Sequence, residues 1–511
     1  MNRLLPTLSW ILYDFANTIF SMNVVTLYFS LWVTVNNGKP DIWVGVANGL
    51  SALLIVAALP MLGVWSDAYH RKRAYLTIAT VACCALTAGM GVAALSGLGP
   101  STRVLAALAC FVVANFAYHA GIVFYNALLT SVADPARMGR VSGWGVGAGY
   151  LGAILGLLLV MPFATGKLKG TSMEMFTGPW SAVATAPDSE GDWVYRERAP
   201  DPDVNCEYRL QGGAAPAAAR DVFAGAAPVT LTDGSVLTHA RYFEVTFPAA
   251  PAGAVVERRT AGLGRPGTFI PTACLFLVFA LPCMILVRER RESPGEAITA
   301  VQAWKRVWTS LRETRKHPGV LRFMIAKYLY EDAISTVYIF MAVYSSKVMK
   351  FTDETQRFFL LTATTFAMLG SLACGYVTDR IGPKRTLQIV LGGWVVFLSA
   401  AAFSADERHF WFIGPALGVL LGSMWTSSRP LLVSLVPAGA QGEFFALSEL
   451  TGKMSAVVGP VLWGAIVLMA ARAGFSELNG YRIAIGSLVA LILLGAWVLR
   501  KVPDMRRLPG A

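Results

Sequence analysis

Apolar runs about twenty residues long recur through this 511-residue chain, and nothing else in it narrows the fold so sharply. A run of that length reaches across the hydrocarbon core of a bilayer as a helix. Water is absent there, so each backbone N–H and C=O must pair within its own segment, which helices achieve. Twelve spans are read, at about 8–35, 43–65, 75–96, 103–129, 143–164, 268–287, 321–346, 357–378, 386–404, 409–435, 444–470 and 480–500. Only 14% of residues are charged, against roughly a quarter in soluble domains. A multidomain soluble enzyme is thereby excluded. The first span is not a cleaved leader, because it is too long, lacks an A-x-A site and carries Asp14 and Asn17.

The net charge of +12 is dealt out in short clusters between spans rather than gathered in one patch, so nucleic acid is not an expected partner. Twenty-two Lys and Arg fall on the side of the two termini, and eight fall in the short connections opposite. The positive-inside rule then puts both termini in the cytoplasm, most simply at a bacterial inner membrane.

Two segments interrupt the spans. Residues 288–320 form a basic cytoplasmic linker, read as an amphipathic helix at the headgroups or as a plain topological connector. Residues 165–267 form an insertion on the outer face with 10 Lys/Arg and 12 Asp/Glu. Val229–Leu231 and Tyr242–Phe247, with Asp233-Gly234 between them, read as strands and a turn, and Gly212 to Arg220 reads as loop. Cys206 stands alone there and closes no internal disulfide; the other six cysteines lie in spans. The division expected is helices 1–5 over 1–164, the insertion over 165–267, helix 6 over 268–287, the linker over 288–320 and helices 7–12 over 321–511.

The halves repeat. Leu12-Tyr13-Asp14 in the first span returns as Leu329-Tyr330-Glu331-Asp332 in the seventh. Gly63-x-x-x-Asp67 with Arg71-Lys72-Arg73 ends the second span, and Gly375-x-x-x-Asp379-Arg380-x-Gly382-x-Lys384-Arg385 ends the eighth. This duplicated loop resembles the signature of the major facilitator superfamily. Ala68 and His70 depart from it in the first copy, which predicts a looser turn. Glycines 63 and 375 admit a close neighbour, and Asp67 and Asp379 suit a facing helix N-terminus or an arginine. With Arg71, Arg140, Arg380, Lys384 and Arg385 they form the expected gate, the alternative being charges that only orient helices.

Trp10-Ile-Leu-Tyr-Asp-Phe-Ala-Asn17, Tyr125-Asn126-Ala127, Gly139-Arg140-Val141-Ser142-Gly143, Gly149-Tyr150-Leu151-Gly152, and Phe444-Phe445-Ala446-Leu447 with Gly452-Lys453 carry a closer resemblance. Together they are similar to the vacuole-effluxer branch of that superfamily, whose fungal members export amino acids. The resemblance implies amino-acid efflux for this chain. The insertion, and Lys453 where arginine is the pattern, depart from it.

Charges inside spans cost roughly 2.5–3.5 kcal/mol each at the bilayer centre and mark function by default. The candidates for binding and coupling are Asp14, Asn17 and Asn126, then Lys327, Glu331 and Asp332, then Glu449 and Lys453. Lys327 can pair with Glu331, and Glu449 with Lys453 at i,i+4, as a structural pair or a switching one. His119 reads as a helix-contact residue, and Arg429 ends the tenth span. The glycines from 143 to 156 read as a helix-packing face. No P-loop, H-E-x-x-H, G-x-S-x-G or C-x-x-C occurs, so no enzyme, cofactor or metal is expected.

The fold expected is an all-α integral membrane protein of twelve transmembrane helices in two pseudo-symmetric six-helix bundles, with a small β-rich extracytoplasmic insertion. The function expected is secondary transport of a small polar or zwitterionic solute, coupled to protons, by alternating access in a monomer among lipids. The alternatives are a drug or lipid-like exporter, or a membrane sensor whose insertion binds an unknown partner.

Overall fold

A computed structural model describes residues 4–37, 39, 42–166, 179–187, 191–198, 205–211, 216–223, 228–237, 241–289, 299, 301–305, 309, 318–347, 353–404, 407–437 and 439–504. Among the described residues, twelve long helices fall in two sets of six. The first set is α1 (Leu4–Phe20), α2 (Ile42–Ala68), α3 (Lys72–Leu95), α4 (Pro100–Ala127), α5 (Met138–Thr165) and α6 (Phe269–Leu286). The second is α7 (Pro318–Lys347), α8 (Asp353–Ile381), α9 (Pro383–Phe403), α10 (Glu407–Leu435), α11 (Gln441–Arg472) and α12 (Glu477–Arg500). Odd-numbered helices run away from the face that bears both termini, here the terminal face, toward the face that bears the insertion, the cap face.

Ten of these helices are long and apolar enough to cross a membrane. The other two, α7 and α11, carry Lys327, Glu331, Asp332, Glu449 and Lys453, whereas Asp14 lies in α1. Large apolar side chains such as Leu53, Ile78, Val92, Val278, Ile389 and Trp497 are exposed around the bundle, which suits a lipid surface and not water. Beyond Phe20 the first span leaves α geometry. It continues as π-helix over Ser21–Tyr28, one α-turn over Phe29–Leu31, and π-helix again over Trp32–Asn36.

Glycine decides how the helices pack. Along α5, glycines 145, 149, 152 and 156 recur at i, i+4, i+7 and i+11, the spacing of one helix face. A Cβ at these positions would meet Trp10, Thr18, the Phe15 carbonyl and Ile19 of α1. Glycines 139, 143 and 147 make a second stripe, against Thr378, Gly375, Ser371 and Leu372 of α8. One stripe builds the first half, and the other joins it to the second.

On the cap face the described residues of the insertion form two antiparallel three-stranded sheets and a two-stranded ribbon. Strand β8 (Val255–Ala261) lies between β1 (Ser181–Thr185) and β3 (Asn205–Leu210), and β7 (Arg241–Ala250) lies between β2 (Gly191–Arg198) and β4 (Ala218–Phe223). Tyr195, Tyr208, Leu210, Val245, Phe247 and Val256 form one buried core. In it the phenols of Tyr195 and Tyr208 donate to Glu197 at 2.7 and 2.6 Å, and Arg258 meets both oxygens of that carboxylate at 3.0 Å. Burial, with the Glu197 charge behind it, pushes the Tyr195 phenol well up. Asp233-Gly234 turns the ribbon of β5 (Val229–Thr230) and β6 (Val236–Leu237), with Gly234 at φ 82°. That turn therefore does not lead into Tyr242–Phe247, which lies within β7. Residues 218–220, expected as loop, are strand, because Ala218, Ala219 and Arg220 pair with Thr246, Val245 and Glu244.

The insertion leaves and re-enters the bundle at one point. The N–H groups of Leu263 and Gly264 donate to the carbonyls of Phe163 and Ala164 at 3.0 and 3.1 Å. Of the linker, residues 288–289, 299, 301–305, 309 and 318–320 are described, and 301–305 are helical. Ala303 there is buried with Val64 and packs beside Met61 and Trp65 of α2.

Candidate functional site

Between the two halves lies a cavity of about 440 Å³, lined from α1, α4, α5, α7, α10 and α11. Six of its side chains carry charge or can carry it: Asp14, His119, Lys327, Glu331, Arg429 and Glu449. Asn17 and Asn126 line it too.

Asp14 sits ten residues into the first span, on a face kept clear by glycine. At Gly145 a Cβ would stand 2.8 Å from Trp10 and 3.2 Å from the Asp14 carboxylate. The carboxylate accepts from Arg429 of α10 at 2.8 Å and from Asn17 Nδ2 at 3.2 Å. The guanidinium also lies 5.4 Å from the Tyr125 ring and 6.0 Å from that of Trp10, two rings stacked at 4.3 Å. A cation of the second half is thus seated in an aromatic and anionic recess of the first. Its neighbour Pro430 has no N–H, which leaves the Thr426 carbonyl without its helical donor. Ser142 of α5 supplies the missing bond, at 2.9 Å.

Glu331 stands near the middle of the 30-residue α7. One carboxylate oxygen faces Lys327 at 3.2 Å, and the other is buried without a hydrogen-bond partner. Lys327 also donates to the Ser448 carbonyl at 2.9 Å. Gly452 makes the space, since a Cβ there would come within 2.9 Å of Glu331. Glu449 faces His119 of α4 at 2.8 Å, so it joins the halves as Arg429 does. The side chain of Lys453 lies outside the described residues. Asp332 is separated from the lining: its carboxylate accepts the Gly459 N–H at 2.8 Å inside the second half.

The residues expected to form a gate lie on the terminal face. Asp67 accepts the N–H groups of Gly442 and Glu443 at the start of α11, at 3.0 and 2.8 Å. Asp379 accepts that of Gly139 beside the start of α5 at 2.8 Å, and Arg140 Nε at 2.7 Å. A carboxylate on a helix N-terminus meets unpaired N–H groups and the positive end of the dipole. Gly63 and Gly375 let the backbones approach: a Cβ at Gly63 would lie 2.6 Å from the Gly442 carbonyl. The cation beside Asp67 is Lys72, at 2.9 Å, and the Arg71 side chain is exposed. The remaining cations point within their own halves. Arg73 reaches the Ile285 and Val287 carbonyls at the end of α6; Lys384 reaches the Arg500 carbonyl and Arg385 pairs with Asp504 beyond α12. Arg380 is exposed. In the first turn His70 takes φ 49°, and at the matching place in the second copy Gly382 takes φ 93°.

Sequence reasoning left Arg429 and His119 out of the site. The signal for Arg429 was its neighbour Pro430, since a proline inside a span frees a carbonyl that another helix must satisfy.

Residues 267–507 match the model of a family described as "Vacuole effluxer Atg22 like". An uncharacterized MFS-type transporter of Bacillus subtilis is 21% identical over 503 residues, covering 97% of this chain and 94% of that protein. The chain is thus similar to transporters of the major facilitator type. Autophagy-related protein 22-1 of Sclerotinia sclerotiorum is 24% identical over 220 residues, 38% of this chain and 37% of the fungal protein. Among solved structures, a bacterial homologue of the iron transporter ferroportin, in an outward-facing state, superposes with a TM-score of 0.63 at 12% identity, covering 98% of this chain and 99% of that one. A proton:xylose symporter gives 0.59 at 13%, covering 98% and 95%. These likenesses share the two-bundle fold, to which this chain adds its β insertion.

Proposed function

We propose that the protein moves a small polar or zwitterionic solute across a bacterial plasma membrane by alternating access, coupled to protons, with both termini in the cytoplasm. The arrangement that carries the reading is the cavity on the seam, where Asp14–Arg429 and Glu449–His119 bridge the halves. Such pairs must part when the halves rock, and a solute bearing both charges can replace them. Glu331 suits the proton. It is a titratable side chain on the cavity wall with Lys327 at 3.2 Å, so gain and loss of a proton there would act on that pair and on a bound solute. The 22-to-8 charge asymmetry supports the orientation. The similarity to the vacuole-effluxer family favours amino acids among the solutes.

The test is uptake into proteoliposomes with an imposed pH gradient, after a thermal-shift screen of amino acids, sugars and nucleosides. Glu331→Gln keeps the shape and loses the titration, so solute binding should survive while gradient-driven accumulation is lost. Wild-type gradient dependence in this variant would remove Glu331 from the coupling role. A drug-like exporter would instead show stabilisation by apolar cations alone.

A further inference from the structure

We infer that Arg265 and Asn23 are positioning residues for the outer part of the first span, and through it set how readily the cavity closes on the cap face. The inference rests on the alternating-access reading above. Among the described residues, hydrogen bonds between the halves gather at the terminal face and at the cavity, so on this reading closure on the cap face comes from movement of a helix there. The first span is the one that lines the cavity with Asp14, Asn17 and Thr18 and then departs from α geometry three residues later. π-Helix is rare, and eight residues of it is long for a feature usually found as single turns at functional sites.

Two groups act on this segment in opposite senses. Asn23 is fully buried inside the π-turn, and neither its oxygen nor its nitrogen has a hydrogen-bond partner. An amide left so disfavours the arrangement by roughly five- to a hundredfold in an equilibrium. Arg265 opposes it. It comes from the stem of the insertion, is 3% exposed, and donates to the Leu31 carbonyl at 3.3 Å and to Asn36 Oδ1 at the far end of the segment. One side chain loads the π-form and the other clamps it. Release of the clamp lets Ser21–Tyr28 return to α geometry, which changes the rotation and rise of all that follows.

Labelling of a cavity cysteine decides the matter. Ser335→Cys in a Cys206→Ser chain is reconstituted and exposed on the cap face to a membrane-impermeant maleimide. Asp379→Asn, which loosens the terminal face, should slow labelling and bring the equilibrium into range. Within that background Arg265→Met should slow labelling by about tenfold more, the worth of a charged hydrogen bond. Arg265→Lys should fall between, and Asn23→Leu should restore labelling. If Asp379→Asn changes nothing, the alternating-access reading fails. If it slows labelling but the Arg265 and Asn23 variants shift it in the same direction or not at all, the inference fails and that reading stands. Should Arg265→Met not fold, Asn36→Leu removes the same bond from its other end and must also slow labelling.

Discussion

Arg429 holds its charge on the far side of a seam, 415 positions from its partner. Asp14 is buried and Arg429 is largely covered on the cavity wall, so removing one leaves the other poorly compensated. Asp14→Asn should therefore cost about 3–5 kcal/mol, the usual penalty of an uncompensated buried charge. Asp14→Asn with Arg429→Met should recover most of it, as read from thermal unfolding of the purified protein. A single variant as stable as the parent would show that water already reaches the pair. His70 offers the opposite case. It has a positive φ where the second copy has glycine, so His70→Gly should stabilise the fold by up to about 1 kcal/mol once the unfolded chain's added freedom is subtracted, read as a higher unfolding midpoint. A drop would mean that the imidazole's own contacts outweigh the backbone strain. Asp14, Lys327 and Glu331 were legible in the sequence because charge in an apolar run is costly and local. The pairing was not, because contact between the halves leaves no periodicity in either.

Helix α5 is the element on which the two halves depend, and its faces separate two properties. Gly152 sits against the Phe15 carbonyl of its own half, and Gly143 against the Ser371 carbonyl of the other. A methyl at either meets backbone, which cannot swing aside. Gly152→Ala should lower the stability of the first half and reduce the yield of folded protein. Gly143→Ala should leave the fold standing but hold the halves apart at the terminal face, raising the reactivity of an engineered Ser428→Cys from that side. Equal loss of yield in both would merge the two roles. That α5 is a packing helix could be read from its glycines. That it has two faces could not, since a stripe at i, i+4 looks the same whichever helix it meets.

At the scale of the molecule, the repeated halves and their loops were plain in the sequence because charge and apolarity alternate on a length set by the bilayer. The strand pairing of the insertion was obscured by residues 218–220, whose alanines carry little strand signal. The insertion's ends meet at the stem, where Gly262 would place a Cβ 2.6 Å from the Gly166 nitrogen. Replacing residues 169–259 with a short Gly/Ser linker should thus give a bundle that still inserts and unfolds cooperatively in size-exclusion and thermal assays; loss of insertion would make the β sheets part of the bundle's own stability. The stem also imposes an order in time. With α1 to α5 made, a ribosome adding 5–20 residues a second takes roughly 5–20 s to deliver the next hundred or so residues before α6 emerges. In the proposed orientation that whole stretch must be exported as unfolded chain before Leu263 and Gly264 reach the end of α5 and before α6 covers its face of α1. The youngest form of this protein is thus a five-helix intermediate, and the demand it makes falls on the insertion machinery and its chaperones before the protein has carried any solute.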